Sequence, residues 1–127
     1  MKVITCVGAP EAIGPYSQAI RVGDFLFLSG QIPINPATNK VETADIREQT
    51  RQVMNNIQAI LENEGLEFKN IIKTTIFITN MEQFAIINDE YGTLLGEHRP
   101  ARSTIEVSRL PKDVSIEIEV VASYVKS

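Results

Sequence analysis

Apolar positions along the chain change their period several times, and each change marks an element. Val3 to Val7 is a short β-prone run, and Gly8 to Gln18 follows it as a loop with two proline turn signals. Ala19 to Val22 and Phe25 to Ser29 flank Gly23-Asp24, the dipeptide of a tight hairpin. Three loop-forming residues, Pro33, Pro36 and Asn39, make 31 to 43 a long ordered loop, with Thr43 or Asp45 available as a helix cap. From Asp45 to about Glu64 the period becomes helical: Ile46, Val53, Ile57, Ile60 and Leu61 share a face with Thr50, Arg47, Glu48, Arg51 and Glu62 face water, and Gly65 stops the helix.

Ile71 to Thr79 is β-branched nearly throughout and reads as a strand. Met81 to Leu95 spaces Phe84, Ile87, Tyr91, Leu94 and Leu95 by threes and fours, a second amphipathic helix. Ala101 to Ser108 is the next strand, Leu110 to Asp113 a turn, and Val114 to Val125 a long final strand. The order describes an α+β domain whose two helices cover one face of one sheet. Phe25 to Leu28 and Ile76 to Ile78 place large apolar groups on both sides of their strands, so the helix-free face is also expected to be dry. That predicts a homo-oligomer closed through the open face, with small-ligand clefts between subunits.

Composition narrows the classes. The chain has 127 residues, enough for a single domain over 1 to 127, and is 43% hydrophobic. Its net charge of −4 and pI of about 5.0, without a run of Lys or Arg, argue against nucleic acid or an anionic membrane as partner. One cysteine, Cys6, and one histidine, His98, exclude an intrachain disulfide and argue against a protein-bound metal, so no cofactor is expected. With no signal-peptide pattern and no long apolar span, the expected location is the cytoplasm.

The residue with the most distinctive setting is Arg102, just after Pro100 at the start of a strand. It reads either as half of a surface ion pair or as a planar fork for a ligand carboxylate. Glu117 and Glu119 alternate with Ile116, Ile118 and Val120, so both carboxylates lie on one face, as solvated charges or as site groups.

AIGPYSQA (Ala12 to Ala19), LSGQIPINP (Leu28 to Pro36), KTTIFI (Lys73 to Ile78), PARSTIEVSRLPKD (Pro100 to Asp113) and IEIEVVA (Ile116 to Ala122) together resemble the RidA family, also called YjgF/YER057c/UK114. The blocks occur in order over essentially the whole chain. The resemblance implies a homotrimer of a chorismate-mutase-like α+β fold with three intersubunit clefts. It also implies hydrolysis of 2-imino or 2-enamino acids, such as 2-aminoacrylate and 2-aminocrotonate, to 2-keto acids and ammonia. By the same resemblance Arg102 holds the substrate carboxylate and Glu117 positions or deprotonates the attacking water. Tyr16, Ser29, Gly30 and Asn88 then line the cleft, and a backbone carbonyl at Thr104 holds the water.

Each also has a plain structural reading: Tyr16 as a loop aromatic, Ser29-Gly30 as a strand end, Asn88 as an exposed helical amide. Two departures stand out. Thr104 replaces a cysteine found in other members, which removes any sulfur nucleophile. Only Arg99 separates His98 from Pro100, whereas related members often carry several more residues there, including an aromatic that can close the pocket. A non-catalytic trimer that binds or senses keto acids or other small carboxylates is the alternative function. An RNA-cleaving role has been attached to some relatives, and the acidic pI weighs against it.

Overall fold

Strand after strand, buried and exposed side chains alternate, and that alternation gives the central sheet two unlike faces. In a computed structural model describing residues 1–126, the sheet runs in the order β1 (Lys2–Ile4), β2 (Ala19–Val22), β3 (Phe25–Gln31), β8 (Ile116–Ser123), β6 (Ile71–Ile78), β7 (Ala101–Glu106). All neighbours are antiparallel except β6 and β7. That parallel pair needs a crossover, and helix α2 (Phe84–Leu95) supplies it. Helix α1 (Ile46–Asn63) crosses the same face.

The core lies between that face and the helices. Leu26, Leu28, Ile76, Ile78, Ile116, Ile118 and Val120 meet Val53, Ile57, Ile60, Leu61 and Ile87, all of them buried. Each such side chain contributes about 1.5–3 kcal/mol relative to exposure. Asp45 caps α1 by accepting from the Glu48 N–H at 2.9 Å, and Gly65, at φ 71°, ends it. A carboxylate locks the two helices together: buried Glu90 of α2 accepts from Arg47 Nη1 at 3.2 Å and Arg51 Nε at 3.0 Å, both on α1. The Arg51 bond outweighs desolvation and holds the Glu90 carboxyl below its usual pKa.

The far face carries Val22, Phe25 and Phe27, which are 48%, 44% and 47% exposed in the single chain, together with Ile105 at 43%. Phe77 and Val121 are half-buried on the same side.

Strand ends shift by about two residues from the sequence reading at β3, β7 and β8, and three further differences have a local cause. The first strand stops at Ile4 because Gln18 replaces the ladder beyond it: its Oε1 accepts from the Cys6 N–H at 2.7 Å and its Nε2 donates to the Cys6 carbonyl at 3.0 Å. The expected loop from 31 to 43 contains a small hairpin, β4 (Ile34–Asn35) with β5 (Lys40–Val41), whose turn uses Asn35 Oδ1 as acceptor for Ala37 N–H and a left-handed Asn39. The second helix opens as a 3-10 turn, Met81–Gln83, because Asn80 caps at Glu82 N–H.

Candidate functional site

Strand parity decides which side chains can meet. On β8 the buried Ile116, Ile118 and Val120 face the helices, which turns Glu117 and Glu119 to the opposite face. Beside Glu117, strand β3 carries a bulge: Leu28 pairs with Val120 and Gln31 with Ile118, so Ser29 and Gly30 occupy a stretch with one extra residue. A cavity of about 590 Å³ opens there, lined by Glu117, Ser29, Gly30 and Tyr16, with Ile13, Ile32, Ile34 and Pro111 as its apolar wall and Glu11 and Lys112 as its other charges.

The Glu117 carboxyl is half-buried, and burial raises its pKa, with repulsion from Glu119 adding to the effect. Ser29 donates its hydroxyl to the Ser17 carbonyl at 2.5 Å, and its own N–H bonds to the Gln18 carbonyl at 3.0 Å. These two bonds tie the loop bearing Tyr16 to the end of β3. Tyr16 is exposed at the rim, its hydroxyl accepting from the Ile13 N–H at 3.4 Å.

Arg102 lies elsewhere. Its register partner on β6 is Thr74, which is fully buried under the helices, so the arginine leaves the sheet on the helix side of the edge strand. Nη1 donates to Asn88 Oδ1 of α2 at 2.6 Å, and the guanidinium lies 5.3 Å from the Phe84 ring centroid and 5.5 Å from that of Tyr91. No acid of this chain pairs with it among the described residues, which removes the surface ion-pair reading. A second cavity, of about 430 Å³, is lined by Arg102, Asn88, Tyr91, Gly92, Arg99 and Pro100. Tyr91 is itself held by a 2.8 Å bond between its hydroxyl and Thr74 Oγ1.

The expected site residues therefore fall into two groups. Tyr16, Ser29, Gly30 and Glu117 share one cavity; Asn88 and Arg102 share the other. Glu117 pairs across with Phe77 and Phe77 with Ile105, and Arg102 is three residues along from Ile105. Two strand spacings and three residue rises put the Cα atoms of Glu117 and Arg102 about 14 Å apart, with side chains on opposite faces. A small 2-imino acid cannot bridge them within one chain. Thr104 lines neither cavity, and its buried hydroxyl has no hydrogen-bond partner among the described residues.

Several residues acquire roles the linear pattern did not suggest. Gln18 donates to the Cys6 and Pro10 carbonyls and accepts from Cys6 N–H, which makes it the organiser of the loop that forms the cavity rim. Tyr91 and Phe84, read from their spacing as core residues, present ring faces to Arg102, and only the crossover of α2 over β7 reveals it. Lys112, in left-handed backbone at φ 55°, is the one cation among the described residues that lines the Glu117 cavity. Arg99 folds back on the end of α2, donating to the Gly96 and His98 carbonyls, and is exposed at the edge of the Arg102 cavity. His98 Nε2 lies 2.7 Å from the Ile71 carbonyl. Cys6 is buried, its thiol 3.5 Å from the Ala59 carbonyl. Neither faces a cavity with Glu117 or Arg102. No group of three or more His, Cys, Asp or Glu among the described residues is arranged to hold a metal, and no helix is long and apolar enough to cross a membrane.

Known proteins match this chain in sequence and fold over nearly its whole length. The family model described as endoribonuclease L-PSP matches residues 6–124. A RutC family protein of Pyrococcus horikoshii is 53% identical over 121 residues, covering 95% of this chain and 96% of that protein. The 2-iminobutanoate/2-iminopropanoate deaminase of Escherichia coli is 48% identical over 124 residues, again 95% of this chain and 96% of the relative. The crystal structure of the E. coli YjgF gene product superimposes with a TM-score of 0.93 at 47% identity, covering 97% of this chain and 98% of that one. A match that starts at Cys6 and runs through the last strand, with relatives aligned over nearly their whole length, establishes that the chain belongs to the endoribonuclease L-PSP family, the group its RidA-like blocks indicated.

Proposed function

We propose that this protein hydrolyses reactive 2-imino and 2-enamino acids to 2-keto acids and ammonia, in clefts that form between the subunits of a homotrimer. The observation that carries the reading is Glu117: a half-buried carboxyl with a raised pKa, facing an open cavity with an apolar wall. A carboxylate poised in this way is suited to proton transfer and ill suited to a structural role on an exposed sheet face. The E. coli relative, 48% identical, is named a 2-iminobutanoate/2-iminopropanoate deaminase, and removing nitrogen from an imine by hydrolysis is a reaction that proton transfer assists.

The chemistry needs two proton movements. Water adds to C2 of the imine while Glu117 takes one of its protons and passes it to nitrogen, giving a carbinolamine. The carbinolamine hydroxyl proton then passes through the same carboxyl to nitrogen, the C–N bond breaks as the keto C=O forms, and ammonia leaves with a 2-keto acid behind. Arg102 grips the substrate carboxylate through two parallel N–H bonds and so aims C2 at the water. Asn88 fixes the guanidinium plane, and the Phe84 and Tyr91 rings flank it. Tyr16, Ser29 and Gly30 complete the pocket wall, and the Thr104 backbone carbonyl serves as a rest for the water. No cofactor or metal has a part in these steps.

Because Arg102 and Glu117 leave opposite faces of one sheet, the cleft is completed by a neighbour. Assembly through the helix-free face would cover Val22, Phe25, Phe27 and Ile105 and bring the arginine edge of one subunit against the Glu117 cavity of the next. The family description names RNA cleavage. A cavity whose charges are two carboxylates and one lysine lacks the cluster of cations that holds a phosphate backbone, whereas one arginine brought by a neighbour is enough for a single small carboxylate.

The test is keto-acid formation when 2-aminoacrylate or 2-aminocrotonate is generated in situ by a dehydratase. Acceleration over the spontaneous hydrolysis is expected, and its absence refutes the reading. Saturable keto-acid binding without turnover, unchanged in Glu117→Gln, would instead make the protein a sensor.

A further inference from the structure

Gly30 stands inside a strand, where glycine is unfavourable relative to alanine. Its backbone does not require it: the glycines in left-handed conformation are Gly14, Gly23, Gly65 and Gly96. Gly30 differs from all six others in what surrounds it. A Cβ placed on it would fall well inside the van der Waals reach of Glu117 Oε2, 2.8 Å from Cδ and 3.0 Å from Cγ. At Gly8 the nearest atom would be 3.6 Å away, and at the remaining five nothing lies within 4 Å. The three nearest atoms all belong to one side chain, the one assigned the proton transfer above.

We propose that Gly30 is a positioning residue for Glu117, the missing Cβ being what allows the carboxyl to lie against the β3 bulge at the cavity wall. The strand itself has little freedom to yield. Ser29 N–H bonds to the Gln18 carbonyl, Ser29 Oγ donates to the Ser17 carbonyl, and Gln31 Nε2 donates to the Ser29 carbonyl at 3.3 Å. The bulge is thus pinned from both sides, and the flexible end of Glu117 is the part that moves. An alanine here is accommodated by rotating the carboxyl away from the cavity, with the fold intact. This role rests on the imine-hydrolase reading and adds to it a steric condition on where the base stands. It is separate from any contact that the Gly30 backbone makes with a ligand.

The experiment is a cycle of Gly30→Ala, Glu117→Asp and the double variant, each characterised by kcat, KM and a crystal structure. Gly30→Ala is expected to leave the melting temperature within about 4 °C of the parent, and to lower kcat about tenfold or more with KM changed less than about threefold. Aspartate is one methylene shorter and withdraws the outermost atom, Oε2, which makes the nearest of the three approaches to the alanine. Glu117→Asp should therefore cost about tenfold less in the Gly30→Ala background than alone, a coupling that a merely structural role would not produce. Equal losses in both backgrounds, or a Gly30→Ala protein with parental kcat, overturn the proposal. The crystal structure separates the two levels of inference. If the parent has no deaminase activity, the catalytic reading fails, yet the positioning claim is still decided by whether the Glu117 carboxyl has moved by more than about 2 Å in Gly30→Ala. A carboxyl found in place refutes it.

Discussion

Mixing two inactive variants should restore activity. Arg102→Ala removes the carboxylate grip, and the loss follows from the bonds involved. A guanidinium has more N–H donors than Asn88 occupies, so a two-point grip is available. At about 1.5–3 kcal/mol per charge-assisted bond, its removal lowers kcat/KM by about 10²- to 10⁴-fold. Glu117→Gln removes the proton carrier and should cost about 10²- to 10⁴-fold. Within one chain the two side chains leave opposite faces of the sheet, with Cα atoms about 14 Å apart. Each cleft of a cyclic trimer would then take its arginine from one subunit and its glutamate from a neighbour. When the variants are mixed one to one and allowed to exchange, a cleft is intact if its arginine comes from a Glu117→Gln chain and its glutamate from an Arg102→Ala chain. That combination holds in about one cleft in four. The assay is keto-acid formation after co-refolding from denaturant, with the same proteins combined without exchange as control. Recovery to about a quarter of the parental rate is expected. A mixture no better than the average of its parents would show that the cleft is not shared and would remove the reason for a trimer in catalysis.

Arg102→Lys keeps the charge and loses the fork, so kcat/KM should fall about 10- to 100-fold, with most of the loss in KM. Phe27→Asp puts a charge into the apolar face; sedimentation should report a monomer and activity should vanish, whereas an active oligomer would refute assembly through this face. The acid limb of the kcat/KM profile should lie above the usual carboxylate range, because burial and then Glu119 raise the Glu117 pKa, and Glu117→Gln should abolish that limb. Stability has the opposite sense. A carboxyl whose pKa is higher folded than unfolded stabilises the fold fully below the unfolded value and loses that contribution as pH rises through the folded one. The stability of Glu117→Gln relative to the parent should accordingly rise across that interval, which urea titrations at a series of pH values will read.

Periodicity was enough to place most of the elements and to put Glu117 and Glu119 together on the face of their strand opposite Ile116, Ile118 and Val120, because side-chain direction along a regular strand or helix is a local property. Glycine and proline chemistry located the hairpin and the end of α1 for the same reason. The hairpin inside 31–43 was hidden because its strands are two residues each, too short for a period, and the early end of β1 was hidden because the competing partner, Gln18, lies twelve residues away. The roles of Phe84 and Tyr91 beside Arg102 were likewise invisible, since their spacing is that of any core-facing pair.

The sequence by itself determined which residues carry chemistry: an arginine at the head of a strand, a carboxylate between isoleucines, and blocks that point to one family. Only the tertiary structure decided how they stand to one another. The parallel pairing of β6 with β7 turned Arg102 to the helix side, while the antiparallel pairing of β6 with β8 turned Glu117 away from it. Facing is inherited through hydrogen-bond register between strands distant in the chain, so no local pattern contains it. The bulge that sets Gly30 against Glu117 arises in the same way, from two strands more than eighty residues apart meeting out of step.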